Sequence, residues 1–146
     1  MNTDKYASIR LKNQLCFPLY ACSKEIVRLY KPFLDELDLT YTQYIAMMVL
    51  WEKKEVTVKE IGQELFLDSG TLTPLLKKLE LKGYIARKRM ESDERNVCIS
   101  ITKKGDLLKE EAVKIPEKMK GCISLDPQEE EVLFRVLHKM LNMFAE

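Results

Sequence analysis

Asp68-Ser69-Gly70-Thr71-Leu72-Thr73-Pro74-Leu75-Leu76-Lys77-Lys78-Leu79-Glu80, with the basic segment after it, decides the reading of this 146-residue chain. Leu72, Leu75, Leu76 and Leu79 recur at i, i+3, i+4 and i+7. That is the spacing of one buried stripe on an amphipathic helix. At about 100° per residue the opposite face centres on Gly70, Pro74 and Lys77, flanked by Thr71, Thr73 and Lys78. It carries no acid and no large apolar group. Small residues at its N-terminal end let a helix approach a groove closely, and hydroxyls and ammonium groups reach base edges and phosphates.

Gly83 reads as the helix stop. Ile85-Ala86-Arg87-Lys88-Arg89 and Val97-Cys98-Ile99-Ser100-Ile101 then read as two short strands around a polar tip, Glu91 to Asn96. A helix followed by a basic ribbon is the layout of a winged helix-turn-helix, and the expected fold class is mainly α with a small β-hairpin wing. The helix would enter the major groove and the ribbon tip would reach phosphates or the minor groove. The expected DNA-facing residues are Ser69, Gly70, Thr71, Thr73, Pro74, Lys77, Lys78, Arg87 and Arg89. The competing reading is a solvated amphipathic helix with an ordinary hairpin, since lysine-rich exposed faces are common.

Charge placement supports the first reading. The whole chain carries a net charge of only +1. Residues 69–104, however, hold nine Lys/Arg against four Asp/Glu, whereas 1–68 hold nine against ten and 105–146 six against nine. The basic excess coincides with the segment whose pattern already faces DNA, an electrostatic footprint for phosphates. No apolar run reaches the 18 or more residues of a membrane span, and Met1 to Tyr6 lacks the apolar core of a signal peptide. The expected location is therefore the cytoplasm, where four cysteines are thiols rather than structural disulfides.

Helix starts are marked by capping residues. Thr40-Tyr41-Thr42-Gln43 and Thr57-Val58-Lys59-Glu60 have capping-box form, Asp126-Pro127-Gln128-Glu129 combines a capping Asp with Pro and Glu, and Thr102 caps a helix expected over about 103–120. An N-terminal helix is expected over much of 11–30. This predicts five or six helices and one hairpin in a single unit, 1–146, with about 40–102 as the DNA-reading part. The ends, about 7–32 and 103–146, are apolar over much of their circumference: Leu11, Leu15, Phe17, Leu19, Ile26, Val27 and Leu29 in one, Val132, Phe134, Val136, Leu137, Met140, Leu141 and Phe144 in the other. They predict a homodimer interface, which also suits a palindromic operator; the competing reading is a larger core within one subunit.

Enzyme signatures are absent from the sequence. Its one histidine is His138, it has no Cys-x-x-Cys pair and it has no glycine-rich phosphate loop. The expectation is a non-enzyme without metal or cofactor. Cys16, followed by Phe17 and Pro18, is the residue with chemical promise. If Pro18 takes an early helical position, Cys16 opens a helix, where unpaired amides and the dipole favour thiolate. If the helix runs through, Pro18 deletes a hydrogen bond and kinks it. Residue type alone also allows an inert buried thiol.

Gln14-Leu15-Cys16-Phe17, Leu19-Tyr20, Tyr30-Lys31-Pro32, Leu39 to Tyr44, Leu67 to Lys77 and Asp93-Glu94-Arg95 resemble, in order and spacing, the MarR family of dimeric winged-helix regulators, and within it the organic hydroperoxide-sensing OhrR group. The similarity runs from about residue 11 to 114. It implies that Cys16 is the peroxide-reactive cysteine and that Tyr30 and Tyr41 donate hydrogen bonds to its thiolate from the other subunit, with Tyr20 nearby. Phenol donors there would offset the desolvation of a thiolate among apolar helices. In the wing, the resemblance implies that Arg95 enters the minor groove and Asp93 holds its guanidinium. Pro18 departs from the family's apolar residue and leaves the geometry around Cys16 open.

The resemblance implies a repressor that reads operator DNA when reduced and is switched off when organic hydroperoxide oxidises Cys16. Two fates of the oxidised thiol stay open: an intersubunit disulfide with Cys122, or capping by a low-molecular-weight thiol. Cys22 and Cys98 are expected to serve as helix and wing-strand packing. The rival readings are a MarR-type repressor released by a small aromatic ligand, a thiol-based global virulence or oxidative-stress regulator, a thiol peroxidase, and a protein-docking module that uses the basic ribbon.

Overall fold

A computed structural model describes residues 4–90 and 93–145; the side chains of 93–96 lie outside the described part. Two 3-10 turns, Ala7–Ile9 and Leu11–Asn13, precede α1 (Cys16–Asp35) and α2 (Tyr41–Lys53). Then come β1 (Glu55–Thr57), α3 (Val58–Leu65), α4 (Ser69–Leu81), β2 (Ile85–Met90) and β3 (Asp93–Ile101). Short helical segments α5 (Lys103–Leu107), α6 (Lys109–Ala112) and α7 (Ile115–Lys120) lead to α8 (Pro127–Phe144).

The capping residues act as their chemistry dictates. Thr40, Thr57 and Asp126 each form a full capping box, with Gln43, Glu60 and Glu129 returning the bond, and Asp68 and Thr102 accept from Thr71 N and Gly105 N. Each satisfies amide groups that the first helical turn leaves without partners. Helix α4 stops at Leu81 and the chain turns through Gly83 at φ +82°, a left-handed conformation that glycine adopts without strain.

The N-terminal helix covers much of 11–30, as expected, but begins at Cys16 and runs on to Asp35, and two other expectations need correction. Asn13 and Gln14 explain the late start: their side-chain amides donate to the carbonyls of Ala7, Ser8 and Arg10 at 2.7–2.9 Å and hold the chain in 3-10 turns. The helix expected over 103–120 is three segments. Its backbone stays right-handed at Leu108, Val113 and Lys114, but Pro116 has no N–H to return to Ala112, and the regular ladder breaks there. The expected hairpin is a three-stranded antiparallel sheet of order β1-β3-β2, with Val56 opposite Ile99 and Arg87 opposite Ile99 on the other side. The β2–β3 register shifts between Arg89 and Met90.

The core lies under α4. Leu72, Leu75, Leu76 and Leu79 are buried against Met47 and Leu50 of α2, Ile61 of α3, and Ile85 and Ile99 of the sheet. At about 1.5–3 kcal/mol per fully buried leucine, this stripe fixes which side of α4 faces outward. Leu34 of α1 and Ala112, Ile115 and Met119 of α6 and α7 close the far side. The indole of Trp51 donates to the Gly105 carbonyl at 2.9 Å, joining α2 to α5. By contrast α8 buries none of its residues within the chain, and α1 buries only Leu34. Leu15, at 83 % exposure, and Phe134, at 64 %, stand for two uncovered apolar faces.

Candidate nucleic-acid interface and sensor thiol

Burial of the leucine stripe leaves Ser69, Gly70, Thr71, Thr73, Pro74, Lys77 and Lys78 exposed together on α4. The N-terminal turn is locally ordered. Asp68 accepts from Thr71 N at 2.7 Å, and Thr73 Oγ1 donates to the Ser69 carbonyl at 2.8 Å. Hydrogen bonds from the Thr71 and Gly70 amides hold the Asp68 carboxyl below its ordinary range, so the cap is charged at neutral pH. Pro74 lacks the N–H that would bond Gly70 four residues back, which frees the Gly70 carbonyl on this outer face.

The ribbon divides its cations. Arg89 and Lys88 are exposed. Arg87 is half-buried and turned back to α4, where its Nε and Nη2 both lie 3.2 Å from Glu80 Oε1. In this conformation it clasps the end of α4 to β2 rather than facing outward as the sequence suggested. Asp93 and Arg95 fall on the β3 backbone, but their side chains lie outside the described part.

Cys16 is the first residue of α1 and is exposed. Pro18 is therefore at the third helical position, where its missing N–H has no partner to lose, and the first of the two geometries left open by the sequence applies. Leu15 supplies no side-chain cap, so the opening amides face the thiol's end of the helix unpaired. Tyr20 is exposed one turn further on the same face, with Lys24 Nζ 5.2 Å from its ring centre.

Tyr30 and Tyr41 lie elsewhere. Their ring centroids are 5.0 Å apart, and Tyr44 joins them at 5.9 and 6.3 Å. Tyr44 was missed by the sequence reading: it fits the α2 apolar pattern and gives no polar signal. Burial raises all three phenols, Tyr44 to about 12, so they stay protonated and able to donate at physiological pH. Fourteen residues of α1 separate Tyr30 from Cys16, roughly 21 Å of helix rise, far beyond hydrogen-bond reach within one chain. A cleft of about 230 Å³ opens beside Tyr41, between Val27, Lys31 and Leu34 of α1 and the start of α2.

All four cysteines are free thiols. Cys122 is exposed just after α7, its Sγ 3.6 Å from the Lys118 carbonyl. Cys22 is exposed within the chain rather than packed, because it lies on the uncovered side of α1. Cys98 is half-buried and donates to Glu55 Oε1 at 3.0 Å. Among the described residues no three His, Cys, Asp or Glu side chains gather as a metal site, and no helix is long and apolar enough to cross a membrane.

A leucine-anchored helix with a small, basic outer face, preceded by a capped helix and followed by a three-stranded wing, is the working part of a winged-helix transcriptional regulator. The family model for the transcriptional regulators SarA and Rot matches residues 28–112. The chain is 49% identical over 139 residues to the organic hydroperoxide resistance transcriptional regulator of Bacillus subtilis, covering 95% of each. It is 42% identical over 132 residues to the regulator SarZ of Staphylococcus aureus, covering 90% of this chain and 89% of that one. Reduced AbfR bound to DNA superimposes with a TM-score of 0.77 at 35% identity, covering 97% of this chain and 99% of the other. The disulfide form of AbfR, a Staphylococcus epidermidis protein, gives 0.64 at 38% identity, over 94% and 96%. This chain belongs to the SarA/Rot family of transcriptional regulators and has the fold of MarR from E. coli, which superimposes with a TM-score of 0.76 at 23% identity. Its relatives are transcriptional regulators rather than enzymes, and one of them, AbfR, is seen in reduced, overoxidised and disulfide forms.

Proposed function

We propose that this chain acts as a homodimeric repressor that holds a palindromic operator while Cys16 is reduced and releases it when an organic hydroperoxide oxidises that thiol. The observation that carries the reading is the placement of Cys16, exposed at the opening of α1, with Tyr30 and Tyr41 gathered at the far end of the same helix. A two-fold exchange would set Cys16 of the partner subunit beside this tyrosine pair and cover the apolar faces of α1 and α8. The chain works as one unit, reading DNA with about 40–102 and pairing through about 7–32 and 103–146, in the cytoplasm. Two copies of α4 would lie roughly 34–36 Å apart in successive major grooves. Ser69, Gly70, Thr71, Thr73 and Pro74 face the bases; Lys77, Lys78 and Arg89 face phosphates; Arg95, held by Asp93, enters the minor groove.

The chemistry balances without a cofactor. The Cys16 thiolate attacks the terminal peroxide oxygen, the O–O bond breaks, and with one proton the products are sulfenic acid and an alcohol. The sulfenic acid then condenses with a second thiol, either Cys122 of the partner subunit or a low-molecular-weight thiol, forming a disulfide and water. Loss of the Tyr30 and Tyr41 hydrogen bonds shifts the terminal helices and with them the spacing of the two reading units. A few kcal/mol between fitting and non-fitting states changes occupancy by orders of magnitude.

The test is operator binding by fluorescence anisotropy before and after cumene hydroperoxide. Cys16→Ser is expected to bind and to ignore peroxide; release of that variant overturns the reading. A covalent dimer on non-reducing gels, absent in Cys122→Ser, identifies the two-cysteine route, and a monomeric band carrying a mixed disulfide identifies the other.

One observation favours a second trigger. A groove of about 400 Å³ between α2 and α6–α7, lined by Tyr44, Met48, Trp51, Val113 and Pro116 with Lys109 and Glu110, has the size and apolar lining for a small aromatic ligand. Release of DNA by phenolics, with peroxide inert, would select that reading.

A further inference from the structure

The sensing and reading parts must be mechanically joined, and most of what lies between them is apolar packing, which resists separation more than sliding. One polar junction fixes position. Lys82 is the C-cap of α4, and its side chain leaves the helix for the corner between α1 and α2. Its ammonium donates to the Asp38 carbonyl and, at 3.2 Å, to Gln43 Oε1, with the Asp38 carboxylate 3.5 Å away.

Both partners are tightly specified. Asp38 holds a left-handed backbone at φ +53°, and the amide after it, Leu39 N, returns to the Leu34 carbonyl at 3.0 Å. Gln43 is 3 % exposed and is the reciprocal half of the capping box that opens α2: its Oε1 accepts from Thr40 N at 3.0 Å, while Thr40 Oγ1 accepts from Gln43 N. The first residue of the helix so opened is Tyr41. On its other side the same turn is fastened to the start of α5. The Lys82 carbonyl accepts from Lys104 Nζ at 2.8 Å, and the Gly83 carbonyl from Thr102 Oγ1 at 2.6 Å.

We propose that Lys82 is a positioning residue that passes displacement of the Tyr41 end of α2 to the recognition helix α4. The inference rests on the redox reading above. Its physical content is that the amide capping Tyr41's helix and the C-terminal end of α4 are held by one ammonium group. Movement of the α2 cap then draws the end of α4 with it. The reading residues lie roughly 18 Å further along the same rigid helix. Lys82 itself faces the α1–α2 corner, away from the reading face, so its removal separates coupling from grip.

The experiment compares operator affinity of the reduced and the cumene hydroperoxide-oxidised dimer in the parent, Lys82→Met and Lys82→Arg. Met keeps the aliphatic stem and removes the ammonium; Arg restores a cation that can donate. Lys82→Met is expected to bind operator within about threefold of the parent when reduced, and to lose about tenfold or more of the oxidised-to-reduced ratio, the usual scale of coupling between sites. Dimedone trapping of Cys16 sulfenic acid is expected to proceed at the parental rate, and Lys82→Arg to recover the ratio. A parental ratio in Lys82→Met overturns the proposal, and so does slowed trapping at Cys16, which would place Lys82 in the thiol chemistry instead. If Lys82→Met unfolds, Lys82→Gln, which removes the charge and is too short to hold both acceptors, takes its place, and an unchanged ratio there overturns the proposal equally. A parent whose affinity ignores oxidation sinks the redox reading itself, a different result from a variant that responds as the parent does.

Discussion

Across the antiparallel pair joining β1 to β3, the Cys98 thiol donates to Glu55 Oε1 at 3.0 Å. The carboxylate accepts from the neutral thiol and repels the thiolate. Together with burial and the nearby Glu60, it pushes the thiol up to about 11. Thiol reactivity depends on the thiolate, so Cys98 is silent at neutral pH by virtue of its neighbour. Site-resolved iodoacetamide labelling followed by mass spectrometry is expected to modify Cys16, Cys22 and Cys122 before Cys98. In Glu55→Gln the Cys98 thiol falls toward its ordinary value, and its labelling at pH 9 rises by roughly tenfold for each unit of that fall. An unchanged rate would mean that burial alone protects it.

The tyrosine cluster makes stability depend on alkaline pH. The folded-state phenols are raised above the ordinary value of 10.0, Tyr44 to about 12, mainly by burial. A group raised on folding contributes stability that is present below the unfolded value and is lost as pH climbs toward the folded one. Urea unfolding is therefore expected to show constant stability between pH 7 and 8, a decline from about pH 9 as the raised Cys98 thiol comes into play, and a steeper decline from about pH 10 as the phenols follow. Tyr44 alone supplies a slope of up to roughly 1.4 kcal/mol per pH unit there. Tyr44→Phe flattens that decline. Tyr30→Phe and Tyr41→Phe keep the ring packing and the reduced operator affinity but slow the response to hydroperoxide.

The reading helix was legible because several signals agree on it: the leucine stripe, the Asp68 cap and the Gly83 stop all lie within sixteen residues. The capping boxes at Thr40, Thr57 and Asp126 were legible for the same reason, since both halves of each sit three residues apart. What escaped depends on distant partners. Strand β1 is three residues long and exists only because Val56 meets Ile99. The turn of Arg87 toward Glu80 and the reach of Lys82 to Asp38 and Gln43 are choices of side-chain direction that no local pattern encodes. The break in 103–120 was visible in Pro116, but the periodic apolar residues around it masked it.

Lys77 and Arg87 are two different kinds of cation. Lys77 is exposed on the outer face of α4, so in the proposed complex it releases a counterion from a phosphate. Arg87 is engaged with Glu80. Lys77→Ala is expected to weaken binding to operator and to unrelated DNA alike and to reduce the salt slope by about one. Arg87→Ala is expected to lower the thermal midpoint, through the lost α4–β2 clasp, while leaving the salt slope near the parental value. Equal slopes for Lys77→Ala and the parent would remove this face of α4 from the phosphate contacts.

Close approach of α3 and α4 sets the geometry of the whole reading unit, and Gly62 permits it. A Cβ at Gly62 would lie 2.8 Å from the Leu67 carbonyl oxygen and 3.1 Å from Leu72 Cδ1. The neighbour is backbone, fastened by Leu67 N to the Gly62 carbonyl at 3.0 Å, so it has little freedom to move. Alanine is the better helix former by roughly 1 kcal/mol. The overlap nonetheless dominates, and Gly62→Ala is expected to destabilise by about 1–3 kcal/mol in urea melts. Gly70 is the informative control. A Cβ there meets only the Asp68 carboxylate, at 3.4 Å, on an exposed surface. Gly70→Ala is expected to melt as the parent does and yet bind operator more weakly, because the added methyl stands on the face that approaches the groove. If Gly70→Ala keeps full affinity, the first turn of α4 does not lie against DNA. If Gly62→Ala melts normally, the packing of α3 on α4 is looser than the contact at Leu67 requires.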